Sequence, residues 1–162
     1  MPVSTLPSTT PYLRRLESGL LVPATTGKRT FVSERAKFTA GFDRDFESYS
    51  TNVPSDPAPA VVSDLYETSN YSGNFRDQLG SLGLDLNLLF WSQDQTLSWI
   101  ETHPQHLHPE GWATFLPFMV GGNRLVANVL RYGSLLHVFC YRFNNDLVRY
   151  AVCRHRWVIP HP

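Results

Sequence analysis

The chain is 162 residues long, the length of one ordinary domain or of a small domain with a tail. Its 14 Lys and Arg balance its 14 Asp and Glu, and zero net charge argues against a basic nucleic-acid coat and against an acidic mimic. A hydrophobic fraction of 42% can build a core, which excludes a wholly disordered chain, and no apolar run approaches the roughly 20 residues of a membrane span.

Residues 1–60 read as an extended arm and linker. Pro2, Pro7, Pro11, Pro23, Pro54, Pro57 and Pro59 lie here among many Ser and Thr residues. Proline fixes φ and removes a backbone donor, so regular elements should be interrupted, and residues 55–60 read as a polyproline-like linker. The opening residues lack the apolar stretch of a signal peptide, so the expected location is cytoplasmic or within a virion. Yet Tyr12, Phe31, Phe38, Phe42 and Phe46 make the arm too apolar for a disordered tail. Phe38, Phe42, Phe46 and Tyr49 are spaced as one helical stripe, which Gly41 weakens. Such a segment must lie on something apolar, either its own domain or a neighbouring subunit.

The remaining residues, 61–162, read as an α+β domain. Residues 61–66 fit a short strand or a helix start, residues 72–80 a loop with one helical turn, and residues 84–90 a strand by their alternation. Ser92 and Gln95 have capping-box spacing at the start of a helix over 92–103, which Pro104 should stop.

Four antiparallel strands are expected over 113–120, 124–132, 135–143 and 146–159, so that one helix packs on a four-stranded antiparallel meander spanning 113–159. Gly133–Ser134 suits a type II′ turn and Asn144–Asn145 a type I′ turn. Pro117 should put the first strand at an edge or create a bulge. Pairing Tyr132 with Leu135 sorts the side chains into two faces, and neither is polar. One carries Val126, Leu130, His137, Phe139, Tyr141 and Tyr150, and the other Ala127, Val129, Val138 and Cys140. Both sides therefore want cover. The same register keeps Cys140 and Cys153 roughly 13 Å apart, too far for a disulfide.

Several groups carry possible chemistry. His106, His108 and Glu110 lie close in sequence and are weak metal candidates, though their spacing matches no zinc motif. His155, Glu110 and Arg149 have the residue types of a small metal-independent nuclease: a carboxylate base, a histidine acid and an arginine for phosphate. Cys153 and His155 share a strand face. Phe139, Tyr141 and Tyr150 can stack on bases, line a ligand pocket or meet another subunit. No phosphate-binding glycine loop or nucleophile elbow is present.

Weighed together, these features point to a non-enzymatic structural or assembly protein, with no cofactor, in a multi-subunit complex such as a phage head, connector, tail or decoration component. Its partners would be other protein subunits, identical or different, rather than membrane or nucleic acid. Tyr12, Phe31, Phe38, Phe42 and Phe46 would anchor the arm on neighbours. The alternatives are a small nuclease or metal-dependent hydrolase using the His/Glu/Arg set, and a ligand-binding module with an aromatic-lined pocket.

Overall fold

The computed structural model describes residues 6–49 and 51–161; residues 1–5 of the expected arm, together with Ser50 and Pro162, lie outside the described residues. Strands form at Leu13–Val22 (β1), Gly41–Phe42 (β2), Val61–Thr68 (β3), Thr114–Val120 (β4), Asn123–Tyr132 (β5), Leu135–Arg142 (β6) and Arg156–Pro160 (β7). They build one seven-stranded mixed sheet in the order β1-β3-β7-β4-β5-β6-β2. Three α-helices accompany it among the described residues: Asp45–Ser48 (α1), Phe75–Gly80 (α2) and Gln93–Thr102 (α3). The architecture is α+β, but the expected four-stranded antiparallel meander with one helix is incorrect.

The largest correction is in the supposed arm. Its prolines flank regular structure instead of breaking it. Residues 12–22 contain no proline, and β1 runs between Pro11 and Pro23, pairing antiparallel with β3. The aromatic stripe is not one helix either. A 3-10 turn at Arg35–Lys37, strand β2 and the single turn of α1 bring Phe38, Phe42 and Phe46 onto one side by tertiary folding. Residues 84–90 are likewise no strand. The Asp85 side chain accepts from the Asn87 amide and opens a 3-10 turn, Leu86–Leu89.

Both central hairpins match the sequence reading. Gly121 and Gly122 have φ of 55° and 82° and join the Val120–Asn123 pair, while Gly133, at 63°, opens the turn between Tyr132 and Leu135. The expected last strand over 146–159 fails. A type I′ turn needs positive φ at both central residues, and neither Asn144 nor Asn145 has it. The chain instead leaves the sheet and crosses its face, touching down at an Arg149–Gly73 bridge. It then makes a 3-10 turn at Ala151–Cys153, passes Arg154 in the left-handed region, and inserts β7 between β3 and β4. The alternation of Val148, Tyr150 and Val152 that suggested a strand belongs to this exposed crossing.

Pro117 lies in a central strand, not at an edge. The carbonyls of Ala113 and Pro117 point to the same side of β4; the first accepts from Arg156 of β7, the second from Trp91. Parallel pairing with β7 ends at Phe115, so the missing donor of Pro117 falls where β7 has already departed.

Both faces of the sheet are covered by the same chain. One bears Leu116, Phe118, Leu125, Ala127, Val129, Val138 and Cys140, packed under α3 and Phe31, Phe38 and Phe46. The other bears Phe115, Val126, Trp157 and Ile159 under Phe75, Leu79, Leu82 and Leu89. Helix α3 has the expected reciprocal cap between Ser92 and Gln95. Its buried polar side chains pin the preceding segment: Asp94 accepts from the Gly27 amide at 2.8 Å and from Arg29 Nε at 2.7 Å. Gln93 accepts from the Phe31 amide and donates to the Thr51 carbonyl at 2.6 Å. Gly27 admits no side chain, because a Cβ there would sit 2.2 Å from the Ser55 carbonyl oxygen at a φ of +79°.

Candidate functional site

Strands β7, β4, β5 and β6 place Trp157, Phe115, Asn128 and Phe139 in one row across the sheet. This is the face crossed by residues 143–155, and it brings together groups that the sequence reading had assigned to different chemistries. Phe115 is the hub. The Arg149 guanidinium carbon lies 5.8 Å from its ring centre, 4.6 Å from that of Phe75 and 5.1 Å from that of Tyr141. The His155 ring is 5.3 Å from Phe115 and edge-on to Trp112 at 6.0 Å. Phe139 and Tyr141 stack 6.4 Å apart along β6, and His137 stacks on Phe139 at 4.2 Å.

The polar groups in this aromatic bed are poorly satisfied. Among the described residues no carboxylate lies within 4.0 Å of the Arg149 guanidinium, which the three rings hold by cation–π attraction. Burial lowers the Arg149 pKa from its ordinary value. The buried Nδ1 of His155 and Oδ1 of Asn128 have no hydrogen-bond partner. Burial, reinforced by Arg149 and His108, pushes the His155 pKa down to about 4, so the ring is neutral near pH 7.

Around this bed the surface is unusually apolar. Tyr150 is 63% and Val152 86% exposed, and Leu147, Val148, Tyr71, Trp112 and Tyr132 are also open to solvent. A cleft of about 800 Å³ runs beside it, lined by Thr68, Ser69, Asn70, Val152, Arg154 and the Arg14–Glu67 ion pair.

The other expected sites separate. Glu110 is exposed in the loop before β4, and the charged groups acting on His155 are Arg149 and His108. His106, His108 and Glu110 do not converge: among the described residues no group of three His, Cys, Asp or Glu could hold a metal. His108 is buried and its Nδ1 accepts from the Glu110 amide at 3.2 Å, while the His106 carbonyl accepts from Arg156 at 2.8 Å. Burial lowers the pKa of both rings. Cys140 and Cys153 are both free thiols. Cys140 pairs with Ala127, not Arg149, and Cys153 lies in the crossing segment.

The aromatic residues divide. Phe31, Phe46 and Phe118 form a stacked group with Phe38 and Phe42 in the chain's own core, with Phe31 and Phe46 fully buried. Tyr12 is half-buried against Tyr71. Phe139 and Tyr141 are half-buried and Tyr150 exposed, all three on or beside the face just described. Sequence reasoning missed Asn128 and Phe115. Asn128 had a signal, being the one polar residue in the run Leu125–Leu130. It also missed the partner of His161, whose Nε2 lies 2.8 Å from Oδ1 of fully buried Asp64. No known family model matches the chain, and no curated protein or solved structure shows significant similarity to it.

Proposed function

We propose that the chain is a non-enzymatic assembly protein, a subunit that joins further copies of itself through the aromatic face and the crossing segment beside it. The observation that carries this reading is the apolar surface around Tyr150 and Val152 on a domain whose sheet is otherwise covered by its own chain. Large exposed apolar side chains grouped on one side, with an arginine held among aromatics, are the composition of interface centres. The anchors expected on neighbours, Phe31, Phe38 and Phe46, serve the internal core instead, so the contact is assigned to the opposite face and no virion setting is carried forward.

Light scattering over a concentration series tests the reading. The wild-type mass should exceed the 18.4 kDa of one chain and rise with concentration. Tyr150→Asp combined with Val152→Asp should return it to that of one chain. A wild-type mass that stays at one chain up to millimolar concentration would overturn the proposal.

A ligand-binding reading is favoured by a separate observation, the unpartnered Asn128 Oδ1 and His155 Nδ1 beside Arg149. A small molecule seated there would satisfy both atoms, and its binding would be lost in Arg149→Met without any change in the mass of the assembly.

A further inference from the structure

Residues 144–155 cross the sheet as a strap, and none of them is buried. Few contacts hold the strap down. Arg149 and Gly73 exchange two backbone hydrogen bonds, of 2.8 and 3.2 Å, and the His155 carbonyl accepts from the Thr68 amide at 2.8 Å. The Ala151 amide donates to the Ser72 hydroxyl at 2.9 Å, and the Ala151 carbonyl accepts from the Thr68 hydroxyl at 3.4 Å. Asp146 pairs with Arg76 at the exposed near end, and the Arg149 guanidinium rests on Phe75, Phe115 and Tyr141. At the far end Arg154 adopts φ 49° and ψ 42°, a left-handed conformation that is costly for a residue with a side chain, and separates the strap from β7. A segment with little buried apolar area, exposed hydrogen bonds and a strained hinge opens at lower cost than the sheet beneath it.

His155 closes the strap against the sheet as a neutral ring. The ring lies 5.3 Å from Phe115 and 6.0 Å from Trp112, and its Nδ1 is buried without a hydrogen-bond partner. A cationic imidazole carries a hydrogen on both nitrogens, and the one on Nδ1 would meet no acceptor there. The charged groups that act on the ring come from two places: Arg149, on the strap and over the same Phe115 ring, and His108, in the loop before β4. Both oppose a positive charge, as burial does. The carboxylates of adjoining elements are engaged elsewhere or open to solvent: Glu67 of β3 pairs with Arg14, Asp77 of α2 accepts from the Asn74 amide, and Glu110 is exposed.

We infer that residues 144–155 form an acid-released strap: a proton on His155, with Arg149 nearby and no acceptor at Nδ1, unseats the crossing from Phe115 while the sheet beneath stays folded. Release uncovers Phe115 and its neighbour Asn128 and displaces the exposed Tyr150 and Val152. The closed strap holds the ring neutral and the open strap lets it take up a proton, so acid favours release below the ordinary histidine pKa of about 6.5 and not above it. The device belongs to the fold of one chain and does not depend on the assembly reading, which light scattering tests separately.

Amide hydrogen exchange at pH 7 and pH 5, with the intrinsic pH dependence of exchange divided out, tests it. Protection of residues 146–155 should fall about tenfold between the two, while β5 and β6 keep theirs. His155→Gln and His155→Phe, one polar and one aromatic and neither titratable, should each melt near the wild-type temperature at pH 7 and show the same strap protection at both pH values. His106→Gln, outside the strap, should respond as the wild type does. Unchanged strap protection in the wild type, a loss shared equally by β5 and β6, or a wild-type response in either His155 variant would overturn the proposal.

Discussion

The two faces of the sheet are built from similar side chains and finished differently. On the α3 side, buried polar side chains fix neighbouring backbone. Gln93 and Asp94 take up the backbone of the segment that crosses them, and Arg29 and Lys37 meet Glu101 at the rim. On the opposite side Arg149 sits among aromatic rings, the buried His155 Nδ1 and Asn128 Oδ1 have no partner, and apolar side chains remain in solvent. Each face keeps buried polar atoms without partners, Thr25 Oγ1 and Arg156 Nε on the α3 side and His155 Nδ1 and Asn128 Oδ1 on the other, so what distinguishes the second face is its apolar side chains in solvent. The first face holds the fold together, and the second is where a partner or ligand is expected.

Breaking the first face should produce the largest effects. Phe46→Ala removes a fully buried ring that stacks on Phe31 at 4.6 Å, and should destabilise the protein by about 4 kcal/mol in chemical denaturation. Asp94→Ala leaves the buried Gly27 amide and the Arg29 Nε–H without their acceptor, while Glu101 still holds the end of the guanidinium. It should cost about 2–3 kcal/mol and make residues 23–35 exchange amide hydrogens faster.

The second face should respond to pH. A histidine with a lowered folded pKa stays neutral in the folded state while the unfolded chain takes up a proton. Stability is therefore full above pH ~6.5 and declines as pH falls toward the folded value of about 4. His106 and His108, also lowered, act with the same sign. Allowing for solvent screening, His155→Gln should remove about 1 kcal/mol of the loss between pH 7 and pH 5. Asp64 has the opposite ionisation. Burial raises its pKa, but hydrogen bonds from His161, Ser18 and Gly19 outweigh that and hold it below the usual carboxylate range. Its contribution is present above the unfolded pKa and lost only as pH falls through the lower folded value, which separates it from the histidines.

Smaller effects should sharpen the contrast. Arg149→Met and Asn128→Val exchange poorly satisfied polar groups for apolar ones, and each should leave stability unchanged or raise it by up to about 1 kcal/mol. Tyr150→Asp should change stability by no more than about 0.5 kcal/mol while lowering the solution mass. A large destabilisation by any of these three would remove the distinction between the faces.

Elements whose geometry is set by neighbours in sequence were legible. The Ser92–Gln95 cap, the glycine turns at 121–122 and 133, the bounds of β4, β5 and β6, and the register through Tyr132 and Leu135 all depend on residues within a few positions of one another. The two-sided apolar character of that sheet was legible too, because alternation needs only the strand's own side chains. The aromatic part of the candidate site was half visible, as Phe139, Tyr141 and Tyr150. Its union with Arg149, His155 and Asn128 was not.

Tertiary structure decided the remainder, because it depends on contacts between distant positions. β1 exists because β3, about 45 residues later, supplies its hydrogen bonds, and the prolines around it only mark its ends. The 31–49 segment has no single local period, and its phenylalanines converge because Gln93 and Asp94 hold the preceding backbone against α3. Residues 146–153 carry a strand-like alternation but find no strand beside them. The position between β3 and β4 is filled by β7 after the crossing, and this is what carries Arg149 and His155 onto Phe115. Composition determined that the chain would have a large apolar core, and local chemistry determined its caps and tight turns. Which segments cover that core, and which side chains are left without partners, was decided by strand pairing across the whole chain.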